Sequence, residues 1–512
     1  MFNCPNCGGS LVFDIQTQTL KCQHCGNSMN VEEYHTNNQA DAQTDEFGVH
    51  TYTCRNCGAE LSAPDAAFTG FCSYCGYENV MEEKLDSMTR PKYIIPFQVT
   101  KEKCRRNFKL HTHLPYVPSE FRNPEFLETF RGIYIPYWMY DISFADPLVL
   151  KAYKSYRDGD YRVYDSYTVP VKLEGATYGV PYDASRAFDD SIAAELTPFR
   201  KEDLKEFREE YLAGFYADKA DVGPGRYEKD AVDYAADVMI RSINLQLDDG
   251  IWVENSSDNP VSRQMQTGVR QADSALFPVW FLTWRNRDRV AYAIMNGQTG
   301  KLSFDVPVDL KKIGIAIALS TALIYAGLDR ILALSARTAA ACASCFTVFV
   351  MAFLKQECEQ VFIREYHLDD RGYGTPDKKK VYLLERAFSY GFCAVGMMML
   401  LWTLIIQALP VGVTAASGLL CLILYLRMRK QARQCPGSFR FLSSGIVLIL
   451  ADIAGAVLLY LDLVSDLIYY SVSSAILLGI LYACWSLLKN YNLSATRPIP
   501  SFTDRKGGDG HA

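Results

Sequence analysis

The chain has only seven histidines in 512 residues, and residues 1–90 hold four basic side chains (Lys21, Arg55, Lys84, Arg90) against twelve acidic ones. Nucleic-acid affinity depends on clustered Lys and Arg that release phosphate counterions, so this scarcity argues against DNA or RNA as a partner of that region. The start, MFNCPNC, has no basic stretch followed by an apolar core, so no secretory leader is expected and the front half should stay in the cytosol. There is no Walker loop, because the stretch 297–301 has the wrong spacing to cradle phosphate. No Ser/His/Asp or Cys/His grouping stands out. No catalytic residue and no organic cofactor site is therefore assigned, and an enzyme is not expected.

What is present divides the chain in two. Up to Phe304 it is polar and tyrosine-rich, and from Ile313 to Leu488 it is dominated by long apolar runs. Residues 1–308 carry 32 Lys and Arg against 44 Asp and Glu, and residues 309–512 carry 20 against 14. The net charges, −12 and +6, sum to the −6 of the whole chain and imply two different environments.

Eight of the sixteen cysteines form two sets of C-x2-C-x14-C-x2-C, namely Cys4, Cys7, Cys22, Cys25 and Cys54, Cys57, Cys72, Cys75. The second set begins 50 residues after the first, and its flanks repeat (CPNCGGSL with CRNCGAEL, CQHCG with CSYCG), which marks an internal duplication. In a reducing cytosol such spacing indicates metal ligation rather than disulfides. Two knuckles aim four sulfurs at one tetrahedral centre, and Gly8, Gly26, Gly58 and Gly76 suit the positive φ that each knuckle turn needs. Residues 11–13 and 19–21 can supply the short strands of a zinc ribbon. Two Zn2+ ions are expected, with iron as the chemical alternative. A closed set of four thiolates leaves no open position, so the zinc is structural, contributing on the order of 10 kcal/mol or more of folding energy per site. His24 falls inside the first set but Tyr74 takes its place in the second, so His24 is not assigned as a ligand.

The expected organisation is multidomain. A first ribbon (1–35), a flexible acidic linker (36–50) and a second ribbon (51–90) precede a cytosolic α+β domain (91–308). An all-α transmembrane domain of about six helices (309–490) and a polar cytosolic tail (491–512) follow. Within the α+β domain, helices are predicted over 101–110, 201–218 and 227–247. Strands are predicted over 132–141, 276–285 and 289–295, and a hairpin turns at Asp158-Gly159 between 151–157 and 161–168. Tyr153, Tyr161 and Tyr167 suggest cross-strand aromatic packing. His111 and His113 are within reach of a shared metal, but an isolated His-x-His in a loop is usually incidental.

Six apolar segments, near 313–328, 338–355, 387–408, 411–427, 441–463 and 467–488, approach the roughly 20 residues that span a bilayer. Eighteen basic residues, Lys355 and Arg364 among them, fall to one side of these segments, and only Arg330 and Arg337 to the other. The positive-inside rule then puts both termini in the cytosol, in agreement with the cysteine argument. Asp452 lies near the middle of the fifth segment, where a carboxylate costs at least ~2.5 kcal/mol. It is either an intramembrane proton or ion relay or a protonated side chain bonded to a neighbouring helix. Cys342 and Cys345 imitate a metal knuckle, but their small, apolar helical surroundings indicate close packing.

On the ribbons (CPNCGGSLVFD with CQHCG, CRNCGAEL with FCSYCG) and on KYIIPF, GIYIPYWMYD, LFPVWFL and MNGQTGKL, the chain resembles a group of uncharacterised bacterial membrane proteins carrying tandem TFIIB-type zinc ribbons. The resemblance covers some 300 residues and implies zinc binding and a membrane location, without an activity. Members are often labelled after primosomal helicases, a label that does not transfer, because the ATP-binding loop is missing here. Three functional readings follow. The first is a membrane-anchored scaffold or sensor in the cell membrane, whose ribbons or α+β domain bind a protein partner. The second is a transporter or membrane enzyme that the ribbons regulate, and the third a membrane-tethered nucleic-acid binder.

Overall fold

The computed structural model describes residues 2–38, 45–63, 71–78, 82–114, 116–188, 190–248, 250–253, 269–328, 335–366, 390–399 and 410–502. The first cysteine unit is a three-stranded antiparallel sheet of β1 (Leu11–Asp14), β2 (Thr19–Cys22) and β3 (Ser28–Met29), followed by α1 (Val31–Asn38). Alternation along β1 buries Leu11 and Phe13, and Leu20 joins them from β2. The unit docks where Phe13 N–H donates to the Ala213 carbonyl at 3.1 Å. There Val12 lies 2.6 Å from the point a Cβ on Gly214 would occupy, so only glycine (φ +86°) fits.

The second cysteine unit is not set apart in this way. Its strands β4 (Glu46–Thr53), β5 (Glu60–Ala63) and β6 (Glu82–Thr89) belong to one thirteen-stranded sheet with the rest of the α+β region. β4 starts inside the stretch expected to be linker, of which residues 39–44 lie outside the described ones. The sheet continues through β7 (Tyr93–Ile94), β8 (Arg131–Asp158), β9 (Tyr161–Asp183), β10 (Lys205–Glu206), β11 (Tyr216–Ala217) and β12 (Ile251–Val253). It ends with β13 (Val269–Asn286), β14 (Arg289–Asn296), β15 (Leu302–Phe304) and, from the far end of the chain, β16 (Arg497–Pro498). Its main path runs β10-β7-β13-β8-β11-β5-β4-β6, with β9 and β12 on β8 and with β14, β15 and β16 beyond β13. Around it pack α2 (Lys101–His111), α3 (Pro124–Glu128), α4 (Asp190–Leu196) and α5 (Glu228–Asn244).

Alternation along the central strands creates two cores. Tyr134, Leu276, Trp280 and Leu282 face the side that receives Leu11, Phe13 and Leu20 of the first cysteine unit. Their neighbours Ile133, Ile135, Phe277, Val279 and Phe281 face the side that receives the second quartet. The two cysteine sites therefore flank opposite faces of one sheet.

The strands predicted over 151–157 and 161–168, and over 276–285 and 289–295, pair as hairpins, but both turns are two residues long and begin one position later than the spacing suggests, with Asp158 opposite Tyr161 and Asn286 opposite Arg289. The predicted helix over 201–218 does not. That stretch holds two short 3-10 turns, Lys201–Asp203 and Glu209–Leu212, and the strands β10 and β11. Phe207, Tyr211, Leu212 and Phe215 have helical spacing, yet they serve as core anchors for edge strands, and Gly214 at φ +86° cannot continue a helix. The tyrosine packing is also narrower than expected. Tyr153 meets Trp252 at 5.5 Å between ring centres, whereas Tyr161 is 79% exposed and Tyr167 39%. In the outer arm of the β8–β9 hairpin β12 pairs only with Ala152–Lys154 of β8, and among the described residues no further strand extends the ladder there.

The rear half is helical: α6 (Leu310–Leu328), α7 (Ala336–Glu365), α8 (Tyr390–Met399), α9 (Pro410–Ala432), α10 (Ser438–Leu461) and α11 (Asp466–Ser494). Among the described residues four of these, α7, α9, α10 and α11, are long and apolar enough to cross a membrane, which suggests a membrane protein. The expected third segment, 387–408, is described only over 390–399. One assignment needs correction. α7 runs to Glu365, so Lys355 is not a loop residue; it is 1% exposed inside the bundle, 3.3 Å from the equally buried Glu359 one turn on. Nothing in 355–365 breaks a helix, and the i,i+4 partner neutralises the charge.

Candidate metal centres and the buried polar sites

Each quartet is built from two knuckles in which a glycine N–H returns to a cysteine carbonyl: Gly8 to Cys4 (2.8 Å), Gly26 to Cys22 (3.1 Å), Gly58 to Cys54 (2.7 Å) and Gly76 to Cys72 (2.9 Å). All four glycines have φ between +65° and +75°, the conformation the sequence predicts for them. In each quartet the four sulfurs lie within 4.8 Å of one another. The closest pairs are Cys4–Cys25 at 3.8 Å, Cys7–Cys22 at 3.5 Å, and Cys54–Cys75 and Cys57–Cys72 at 3.7 Å. A tetrahedron with ~2.3 Å metal–sulfur bonds has edges of about 3.8 Å, so the donor set fits one ion per quartet. Each quartet could hold a metal ion. His24 is exposed and contributes no atom to the first group.

The surroundings of the two sites differ. In the first quartet Cys4 and Cys22 are buried while Cys7 and Cys25 are exposed; in the second all four are buried. At the first site the Cys25 N–H points at Cys22 Sγ at 3.5 Å and lowers that thiol to about 6, while, against the pull of the Gly9 N–H, side-chain contacts with Cys25 and Cys22 push Cys7 up to about 12.

The second site is clamped by groups distant in sequence. Arg131 Nη1 donates to the Phe71 carbonyl at 2.7 Å, Thr283 Oγ1 donates to that of Ser73, and the Tyr292 hydroxyl donates to that of Tyr74 at 2.6 Å. Arg285 Nη1 donates to the Cys75 carbonyl at 3.4 Å. The Tyr74 hydroxyl donates to Asp218 Oδ2 at 2.7 Å, where Ser185 Oγ donates as well at 2.5 Å. Full burial raises the Asp218 carboxyl to about 7, against the pull of those two donors. Asp218 has no signal in the sequence, since nothing local distinguishes it from other aspartates.

In the helical half Asp452 is 1% exposed and accepts from Thr347 Oγ1 at 2.9 and 2.8 Å. The Lys355–Glu359 pair lies two turns further along the same helix, α7. The apolar segment predicted over 338–355 stops at Lys355, so its partner Glu359 falls outside the expected span. Cys342 and Cys345 are buried on α7, and neither belongs to a metal-capable group among the described residues. The same is true of His111, whose Nδ1 lies 2.9 Å from the Asn107 carbonyl oxygen, and of the exposed His113.

No family model matches the chain, and no solved structure matches it. A Bacillus subtilis (strain 168) protein described as uncharacterized protein YdjG is 27% identical over 317 residues, which cover 61% of this chain and 91% of the relative. The chain is thus similar, at a distance, to a bacterial protein whose description carries no activity.

Proposed function

We propose that this chain is a multi-pass protein of the cell membrane with both termini in the cytosol. Its two quartets are TFIIB-type ribbons holding structural Zn2+, and it works as a scaffold or sensor that binds a protein partner. Closed four-thiolate sets support structural zinc. The pairing of β16 with β14 supports a single side for the two termini, because the segment after α11 meets the front half there. The observation that carries partner binding is the β8–β9 arm, which exposes Tyr156, Tyr161, Tyr164 and Tyr167 on a ladder whose outer part is covered by no element among the described residues. Exposed tyrosines of this kind are what protein interfaces are enriched in.

Two measurements test the proposal. Purified full-length protein should contain two equivalents of zinc, and Cys4→Ser with Cys7→Ser should leave one; iron, or no metal, overturns the zinc assignment. A photo-crosslinking residue in place of Tyr161 should give one discrete adduct in native membranes. That adduct should disappear when Tyr156 and Tyr164 become Ser. Absence of any adduct from the arm counts against a partner there.

A second reading, a transporter or membrane enzyme governed by the ribbons, is favoured by the buried Asp452–Thr347 contact and the buried Lys355–Glu359 pair, which are costly unless used. Asp452→Asn should then abolish transport in proteoliposomes without lowering expression. Unchanged transport by that variant would remove the reading.

A further inference from the structure

The acidic front half carries a strongly basic surface element, α2. α2 has five Lys and Arg among eleven residues, with Glu102 its only acid. Cys104 and Phe108, one turn apart, form its buried side. Lys103, Arg106, Lys109 and Leu110 face outward; Leu110 is 70% exposed, and Leu114, just past the helix, 45%. Glu128 engages Lys101 and Arg105, whereas Lys103, Arg106 and Lys109 form no ion pair among the described residues. An open depression of about 550 Å³ lies among Glu102, Arg105, Arg106, Lys109, Leu110 and His113.

The position of this face suggests its use. The rings of Phe108 and His111 meet Phe304 edge-on at 6.1 and 5.9 Å, and Phe304 ends β15, the last strand before α6. Just beyond α2, the Tyr116 carbonyl accepts from Asp309 N–H at 2.8 Å and the Val117 carbonyl from Lys312 Nζ at 3.2 Å. α6 then presents Ile315, Ile317 and Leu319 to its surroundings. Exposed cations and protruding leucines therefore sit together at the root of an apolar helix. That combination characterises elements lying in a membrane interface, with the cations at headgroup level and the leucines below.

We propose that α6 enters the membrane beside the four long apolar helices and that α2 and the turn after it bind anionic lipid headgroups at that point, with Lys103, Arg106 and Lys109 contacting the phosphates and Leu110 and Leu114 dipping into the acyl boundary. Charge complementarity selects an anionic lipid: each Lys or Arg near an anionic leaflet contributes about a fivefold gain in binding, and a zwitterionic surface offers no such attraction. The inference rests on the membrane reading of the C-terminal helices.

The test uses the full-length protein in nanodiscs of phosphatidylcholine alone and in discs that also carry phosphatidylglycerol. Amide exchange over residues 101–114 should slow at least about fivefold in the anionic discs. At about 1 M salt, where the screening length falls to about 3 Å, the protection should be lost. Lys103→Ala with Arg106→Ala and Lys109→Ala should also remove it while exchange elsewhere stays the same. Equal exchange in both kinds of disc, with the protein incorporated in each, overturns the proposal and leaves the membrane reading standing. The same protection from inorganic phosphate in neutral discs overturns it in favour of a free-phosphate site. Failure to enter discs of either composition overturns the membrane reading and the proposal together.

Discussion

The backbone N–H of Phe502 donates to the carbonyl of Cys57 at 2.7 Å, which ties the segment leaving α11 to a knuckle of the second cysteine quartet. The Phe502 ring meets Tyr74, between Cys72 and Cys75, edge-on at 5.7 Å. Between α11 and Phe502 the chain pairs with β14, and Ile499 N–H donates to the Asp288 carbonyl at 3.2 Å. Arg289 reinforces the junction, donating to the carbonyls of Leu493 and Thr496 at 2.8 Å and pairing with Glu365 at the end of α7 at 2.6 Å. A knuckle of a metal-capable quartet and the ends of two long apolar helices thus share one contact network.

Metal removal should be felt in the tail. The segment Arg497–Phe502 contains no ligand, yet its docking needs the Cys57 carbonyl and the Tyr74 ring in place. Chelation of the second site should accelerate amide exchange in 497–502 together with that around Cys54–Cys57. A tail whose exchange is indifferent to the chelator would show that the contact is passive.

Metal release should be biphasic. Two exposed thiolates make the first site accessible to an attacking chelator, while the second is buried on all four ligands. One equivalent should leave at least about tenfold faster than the other, since exposure governs thiolate reactivity. Cys4→Ser with Cys7→Ser should abolish the fast phase, and loss of the slow phase instead would reverse the assignment.

Asp218 should give stability a pH dependence of definite sign. A carboxyl raised from 3.8 to about 7 on folding favours the folded state in its neutral form. That contribution is complete below about pH 4 and is lost as pH rises through about 7. The difference in melting temperature between wild type and Asp218→Asn should therefore shift against the wild type between about pH 4 and 7. A constant difference across that range would mean that Asp218 is ionised throughout.

The Lys355–Glu359 pair should behave as a buried unit. Lys355→Met takes the buried cation from beside the Glu359 carboxylate and should cost about 3–5 kcal/mol, whereas Lys355→Met with Glu359→Met should cost much less. Unfolding in detergent measures both, and a double variant as unstable as the single one would contradict the pairing.

The features legible in the sequence were those set by neighbouring residues. The knuckle glycines, the strands β1 and β2, and the hairpins at Asp158-Gly159 and Asn286–Asp288 follow from turn chemistry and alternation over a few positions. Helical spacing misled over 201–218, because Phe207, Tyr211 and Phe215 face a core supplied by other elements. The end of α7 was placed at Lys355, because a lone charge closes an apolar run when its partner is not counted.

By itself the sequence determined the two cysteine quartets, the division into an acidic front and an apolar rear half, and the carboxylate at Asp452, since spacing, composition and hydropathy are properties of the chain. Only the tertiary structure decided that the two quartets flank opposite faces of one sheet, that one is half open and the other sealed, and that the tail returns from α11 to Cys57. Burial and docking are set by residues hundreds of positions away, and the free energy that selects such partners comes from packing and hydrogen bonding that no local pattern records.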